Sequence, residues 1–320
     1  MDLIDDNIVN EASAFDKQIT ERINNGHIPD LRRSGICNYF YNNGWRDNYY
    51  VNLYYGEIID IINSNCNKYL KEKAKRNIKI LEVGCGPGHI TLELSRNGYF
   101  VEGIDISKVC IEIAKKTAKE DPFKSNRVHL AYYCKNLFNV KRKYDVIVFV
   151  AALHHFVDSY KTLNFVYSIL NEGGLIIVDE PTRDTVKKKN AALLLFVKGL
   201  LSSLESYYTK VDIESSLNEL EEKIEDIFIE EKYETKSGEK IQSVNDNKSG
   251  FEEMYGSLIK HFKEISMQRK YAIFHQLIGG IRQKDKETEH KIADFIKKMD
   301  ILLCATGAIE PANFTFIGTK

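Results

Sequence analysis

No segment of the 320-residue chain is apolar for long enough to span a bilayer. The longest apolar stretch, 191–204, is broken by Lys198 and by further polar and glycine positions, whereas a spanning helix needs about 20 apolar residues. Charge of one sign is also missing: 45 Lys and Arg stand against 46 Asp and Glu, a formal net charge of −1. That balance supplies no overall pull toward nucleic acid or an anionic membrane. The cysteines lack partners. Cys37, Cys66, Cys85, Cys110, Cys134 and Cys304 are scattered without a close pair, which is neither a disulfide framework nor a zinc-ligand spacing. They read as reduced, mostly buried thiols. The start, Met1-Asp2-Leu3-Ile4-Asp5-Asp6, is acidic where a secretory leader is basic, so the expectation is a cytoplasmic protein. No internal repeat, catalytic triad or metal-ligand cluster is legible.

What is present is a rhythm of strands and helices. Ile78–Val83, Tyr99–Asp105, Arg127–Cys134, Tyr144–Val150 and Leu175–Val178 are short apolar runs that read as buried strands. Between them lie helical stretches at His89–Arg96, at Ser107–Ala118 with Ser107 as N-cap, and at Phe156–Leu170. Strands alternating with helices of this length imply a parallel sheet. The chain divides into a helical and aromatic lid region over 1–70, a core over 71–184, a helical insert over 185–250 and a C-terminal part of the core over 251–320. That last part reads as a helix from Phe251 to Phe262, a strand from Ile265 to Phe274, an extra helix from Lys286 to Leu303 and a strand from Phe314 to Gly318. In the insert, Ile213, Leu217, Leu220, Ile224 and Ile227 form an amphipathic stripe, and Glu214, Glu219, Glu221, Glu222, Glu225 and Asp226 line its exposed side. That acidic side argues against nucleic acid on this face.

The strongest chemical signal is Leu81-Glu82-Val83-Gly84-Cys85-Gly86-Pro87-Gly88-His89, which joins a strand to a helix. Glycines there allow a sharp turn and let a ligand lie on the backbone beside a helix N-terminus. Asp105 ends the second strand, where an acid binds ribose hydroxyls in dinucleotide folds. A nicotinamide fold wants G-x-G-x-x-G, which would put the third glycine at His89; the chain reads G-x-G-x-G instead. This pattern, with Glu82 two residues ahead, Gly173-Gly174 before the fifth strand and Leu153-His154-His155-Phe156 after the fourth, resembles class I S-adenosylmethionine-dependent methyltransferases. The resemblance is clear over 77–182 and weak over 251–320.

The resemblance implies a doubly wound, Rossmann-like α/β core with a mostly parallel seven-stranded sheet and a mainly helical lid. It implies S-adenosylmethionine as the donor and a small-molecule acceptor, with no nucleic acid or membrane partner. Glu82 and the backbone at Gly84 and Gly86 would hold the methionine part, with Cys85, Gly88 and Ala151 beside it. Asp105 would bind the ribose and Ile106 would pack on the adenine. Asn136, followed by Leu137, stands where the family usually has an acid, and its carbonyl can still accept a hydrogen bond. The Asn/Asp-Pro-Pro-Tyr signature of enzymes that methylate amino groups of bases is absent at Ala151-Ala152-Leu153-His154-His155.

Methyl transfer from a sulfonium needs alignment more than acid–base machinery. If the acceptor must lose a proton, His154 and His155 are the candidate bases, since they follow the C-terminal edge of the fourth strand; otherwise one closes a hydrogen bond and the other is exposed. Glu180 has a similar claim, or caps a helix. Tyr39, Phe40, Tyr41, Trp45, Tyr49 and Tyr50 would form an aromatic lid or simply pack on the sheet, with Arg46 meeting the donor carboxylate. For the insert four roles stand open: an acceptor lid, an apolar acceptor pocket, a homodimer interface or plain packing against the core. Two rival functions also stand, a nicotinamide oxidoreductase and a non-catalytic module that keeps the fold for binding.

Overall fold

The computed structural model describes residues 6–320, so the acidic start at Met1–Asp5 lies outside it. Five strands come before residue 182: β1 (Lys79–Val83), β2 (Phe100–Asp105), β3 (His129–Cys134), β4 (Tyr144–Val150) and β5 (Leu170–Pro181). β6 (Lys263–Lys270) and β7 (Asn313–Thr319) come from the second half. The seven form one sheet in the order β3-β2-β1-β4-β5-β7-β6. The first five are parallel to one another, while β7 is antiparallel to both β5 and β6. Strand order reverses between β1 and β4, and the crevice beyond the strand ends at such a point is where open α/β sheets bind ligands.

Helices cover both faces. In chain order they are α1 (Asp6–Asn24), α2 (Asn48–Val51), α3 (Glu57–Tyr69), α4 (His89–Arg96), α5 (Lys108–Lys119), α6 (Ser159–Ile169), α7 (Lys188–Ser203), α8 (Leu217–Glu231), α9 (Phe251–His261), α10 (Phe274–Ile278) and α11 (Lys286–Ala305). The strands read as continuous apolar runs because both of their faces are buried. Ile80, Val146, Val148 and Ile177 pack under Ile58 and Ile62 of α3 and Ile90 and Leu94 of α4. Leu81, Ile147, Phe149 and Val178 face the other way, against Leu163 and Val166 of α6 and Met254 and Leu258 of α9. Truncating any of these to Ala costs about 2–5 kcal/mol. Ser107 caps α5 by accepting from the Cys110 N–H at 2.9 Å. Among the described residues no helix is long and apolar enough to cross a membrane.

The second half departs from the sequence pattern in two places. The strand expected to reach Phe274 stops at Lys270: the backbone N–H groups of Ala272, Ile273 and Phe274 all turn onto the Asp300 carboxylate of α11, at 2.7–3.1 Å, and Tyr271 takes φ +58°. The amphipathic stripe of the insert is cut as well. The chain leaves α7 at Ser203, and Tyr207 bridges to Ile281 while the Tyr208 N–H donates to the Gly280 carbonyl. A capping box of Ser216 and Glu219 then restarts the helix as α8. Ile213 is therefore in a loop, 65% exposed, and Leu217 is 80% exposed at the helix start. α7 buries Ala191 and Leu194 and leaves Phe196, Leu200 and Leu204 exposed. One cysteine, Cys134, is exposed rather than buried.

Candidate functional site

The turn between β1 and α4 opens a cavity of about 540 Å³ beyond the strand ends. Gly86 (φ +50°) has nothing within 4 Å of where a Cβ would stand, so its backbone faces open space. Gly88 (φ +82°) has the opposite constraint, because a Cβ there would meet the Tyr132 ring at 2.5 Å. Gly84, Cys85 and Ile106 also line the cavity.

Asp105 sits at the end of β2. One of its carboxylate oxygens accepts from the Gly86 N–H and the other from the Ser107 N–H, both at 2.8 Å. Each oxygen keeps a lone pair toward the cavity. Burial raises the Asp105 carboxyl above its ordinary value, and the two N–H bonds draw it back. Glu82 lies deeper. It is buried against the Thr91 hydroxyl, and burial pushes it up to about 8. At the far wall the Asn136 side-chain oxygen accepts from the Phe138 N–H at 3.0 Å, capping the short turn that presents Leu137. Ala151, at φ +49°, lies between this wall and the histidines.

The two histidines divide their tasks. His155 lines the cavity, and its Nδ1 lies 2.9 Å from Glu11 Oε1. His154 is buried behind it, with Nδ1 2.6 Å from Glu180 Oε2 and Nε2 3.6 Å from Asp246 Oδ1. Glu180 also accepts from the N–H groups of Ala152 (2.8 Å) and Leu153 (2.7 Å), so it caps the short turn that carries the histidines. Burial disfavours charge on both members of the His154–Glu180 pair, lowering the imidazole and raising the carboxyl. Burial, then His154, also lowers His155.

The cover is α1, within the 1–70 stretch expected as a helical and aromatic lid, where the sequence pattern places no helix before Asn48. Ile8, Glu11, Phe15, Gln18, Ile19 and Arg22 all face the cavity at helical spacing. The helix is pinned from two sides. Glu11 accepts from the Ser243 hydroxyl (2.7 Å) and the Asn245 N–H (3.0 Å), and Gln18 donates to the Gln242 carbonyl (2.8 Å). Asp16 accepts from the Ser107 hydroxyl and the Val109 N–H of the donor-side turn. The 185–250 segment contributes only Gln242 and Asn245 to the lining, and α7 and α8 contribute nothing. The expectation of an acceptor lid there therefore narrows to the loop before α9.

The aromatic lid is also corrected. Tyr39, Phe40, Tyr41, Trp45, Tyr49 and Tyr50 do not line the cavity, whereas Tyr55 does. Trp45 packs one layer behind, on His27, Tyr55 and His89. Arg46 is buried elsewhere: it donates to the Gly279 carbonyl (2.8 Å) and Glu289 (2.9 Å), and faces the Tyr50 ring. An Arg so paired cannot serve a ligand in the cavity. The freer guanidinium is that of Arg22: among the described residues its Nε is buried without a hydrogen-bond partner and its only side-chain bond is a 3.4 Å contact to Gln18. His89 Nδ1 beside it is likewise unpartnered, and burial, then Arg22, lowers that imidazole to about 4.

A family model described as a methyltransferase domain matches residues 56–224. The chain is 30% identical over 131 residues to the mitochondrial ubiquinone biosynthesis O-methyltransferase of Saccharomyces cerevisiae, covering 38% of this chain and 41% of that protein. It is 31% identical over 107 residues to the ubiquinone biosynthesis O-methyltransferase of Pelagibacter ubique, covering 33% and 43%. The chain thus spans about half or less of the length of these curated relatives. Among solved structures, the [4+2]-cyclase SpnF superposes with a TM-score of 0.50 at 13% identity, covering 98% of this chain and 94% of that one.

Proposed function

The chain belongs to the methyltransferase-domain family, and from that premise we propose that it moves a methyl group from S-adenosylmethionine to a small-molecule acceptor within the cavity. One observation carries the reading: Asp105, braced by the Gly86 and Ser107 N–H groups, stands beside the Gly86 backbone, which faces open space. The unpartnered Arg22 guanidinium at the same cavity supports a ligand that brings its own carboxylate.

Asp105 accepts the ribose hydroxyls, because a carboxylate takes both protons. Ile106 and Leu137 flank the adenine, with the second lone pair of the Asn136 carbonyl for its amino group. Glu82 and the Gly84–Gly86 backbone hold the methionine amino end, with Cys85 and Ala151 completing the wall; Gly88, expected beside them, faces Tyr132 and Ala114 instead of the cavity, and Arg22 takes over the carboxylate role first assigned to Arg46. The bound donor supplies an electrophilic methyl on a sulfonium. The protein aligns the acceptor on the far side of that methyl and excludes water through α1, Phe138, Phe156 and Val157. His155, rather than His154, meets the acceptor, and a hydroxyl acceptor loses its proton on that side. The O-methyltransferase relatives favour oxygen over nitrogen as the atom methylated.

Six unpaired cysteines support a reducing, cytoplasmic site of action. The exposed Phe196, Leu200 and Leu204 on α7 support pairing of two copies. The fold by itself does not name the reaction, since a protein titled a cyclase shares it. The test is release of S-adenosylhomocysteine, followed across a panel of phenols, carboxylates and amines. Product formed only in the presence of one acceptor class supports methyl transfer. Donor binding with no turnover on any class would favour a binding module.

A further inference from the structure

His154, His155 and Asp246 meet at the cavity wall: one ring nitrogen of each histidine and a carboxylate oxygen of Asp246 lie within 4.8 Å of one another. Each imidazole is gripped at Nδ1 by its own carboxylate, His154 by Glu180 at 2.6 Å and His155 by Glu11 at 2.9 Å. That is the outer-shell pattern that fixes the tautomer of a metal-bound histidine and raises its basicity. Asp246 is 2% exposed and its Oδ2 has no hydrogen-bond partner. A buried unpaired carboxylate oxygen is costly unless something compensates it. No Lys or Arg among the described residues comes within 4.0 Å of Glu11, Glu180 or Asp246; the two histidines are their only ion-pair partners. Three acidic side chains are therefore gathered around two imidazoles, with one buried carboxylate oxygen left without a partner.

We propose that this cluster binds a first-row divalent cation of the zinc class, through His154, His155 and Asp246, at the acceptor end of the cavity. Two imidazoles and one carboxylate suit zinc, iron or manganese rather than magnesium or calcium. Three protein ligands leave a coordination position open, as catalytic rather than structural sites do. His155 and the neighbouring Asn245 line the cavity, so that open position faces the acceptor. A cation there lowers the pKa of a bound hydroxyl and holds its oxygen as an anion. The proposal deepens the methyl-transfer reading at one point, the means by which the acceptor loses its proton, and rests on that reading for its purpose but not for its test. The ligands come from two segments far apart in sequence, and Asp246 lies in the polar loop of the insert, which is why no ligand spacing showed in the chain.

The experiment titrates chelator-treated protein, without donor or acceptor, with Zn²⁺ in a calorimeter and with Co²⁺ in a spectrophotometer. One saturable equivalent is expected, with a visible cobalt band and no thiolate-to-cobalt charge transfer, which sets it apart from binding at Cys85, Cys110 or Cys134. Asp246→Asn should weaken binding by more than tenfold, and Glu11→Gln, which alters only the outer shell, by about 10–100-fold. The control His261→Gln, a half-buried histidine of α9 outside the cluster, should leave it unchanged. Absence of saturable binding to the wild-type protein, a thiolate charge-transfer band, or binding undiminished in Asp246→Asn would each overturn the site. Donor affinity, measured on the same chelated protein, reports separately on the methyltransferase reading.

Discussion

Arg22→Met removes the charge at the donor end of the cavity while keeping most of the side chain's stem. The guanidinium is poorly engaged within the protein: its Nε is unpartnered, its bond to Gln18 is 3.4 Å long, and the rings of Tyr39 and Phe40 lie 5.7 and 5.6 Å away. The fold therefore loses little. A carboxylate brought to about 4 Å gains roughly 4 kcal/mol at an effective dielectric of 20, before either ion is desolvated. The net value of a hydrogen bond to a charged group is about 1.5–3 kcal/mol. The variant should then bind S-adenosylmethionine about 10- to 150-fold more weakly. Calorimetry with S-adenosylhomocysteine and with 5′-methylthioadenosine, which lacks the amino-acid carboxylate, isolates the contact. The loss should appear with the first ligand and vanish with the second. Equal losses for both, or wild-type affinity for the homocysteine compound, would refute the assignment of Arg22 to the donor carboxylate.

Other substitutions separate binding from folding. Arg46→Ala should destabilise the protein by about 1–3 kcal/mol in urea unfolding, because the Gly279 and Ile281 carbonyls lose their donor and Glu289 keeps only Lys286 and the Tyr50 hydroxyl, while donor affinity stays near wild type under folding conditions. Asp105→Ala should weaken donor binding by about 1.5–3 kcal/mol in calorimetry, and it should also lower stability, since the Gly86 and Ser107 N–H groups lose their acceptor. On acidification the Asp30–Arg96 pair sets a threshold. Burial raises Asp30, but Arg96, the Arg32 N–H and Arg33 outweigh it and bring the carboxyl to about 2, below its ordinary 3.8. A depressed folded value gives stability that is complete above pH 4 and lost as the pH falls toward 2, roughly 2 kcal/mol in all. Asp30→Asn should flatten that part of the stability-against-pH curve.

The donor half of the molecule was legible because its signals are local. The β4 and α4 boundaries fall where the hydrophobic runs begin and end, and Ser107 caps the helix that its position suggests. Gly86, Asp105, Ile106, Asn136 and Leu137 reach the same cavity because they all follow strand ends of one parallel sheet. A lid in the first 70 residues was expected, but the helix that forms it was not legible. The inward face of α1 is half polar, since Glu11, Gln18 and Arg22 alternate with Ile8, Phe15 and Ile19. An apolar-only count sees no stripe in a helix that faces a cavity rather than a core. Spacing read through those polar positions, at 8, 11, 15, 18 and 22, would have found it. Arg46 misled for the converse reason: a lone arginine among aromatics looks available, and its partner Glu289 is far along the chain. The end of β6 depends likewise on Asp300, about thirty residues on, and the α7–α8 break on Gly280 and Ile281.

A crystal structure of the protein with S-adenosylhomocysteine tests the central claim most directly. The account predicts the ribose hydroxyls on Asp105, the adenine between Ile106 and Leu137, the homocysteine carboxylate on Arg22, and α1 closed over all three. A ligand seated elsewhere, or failure to bind the homocysteine compound while NADH binds in the same cavity, would contradict it.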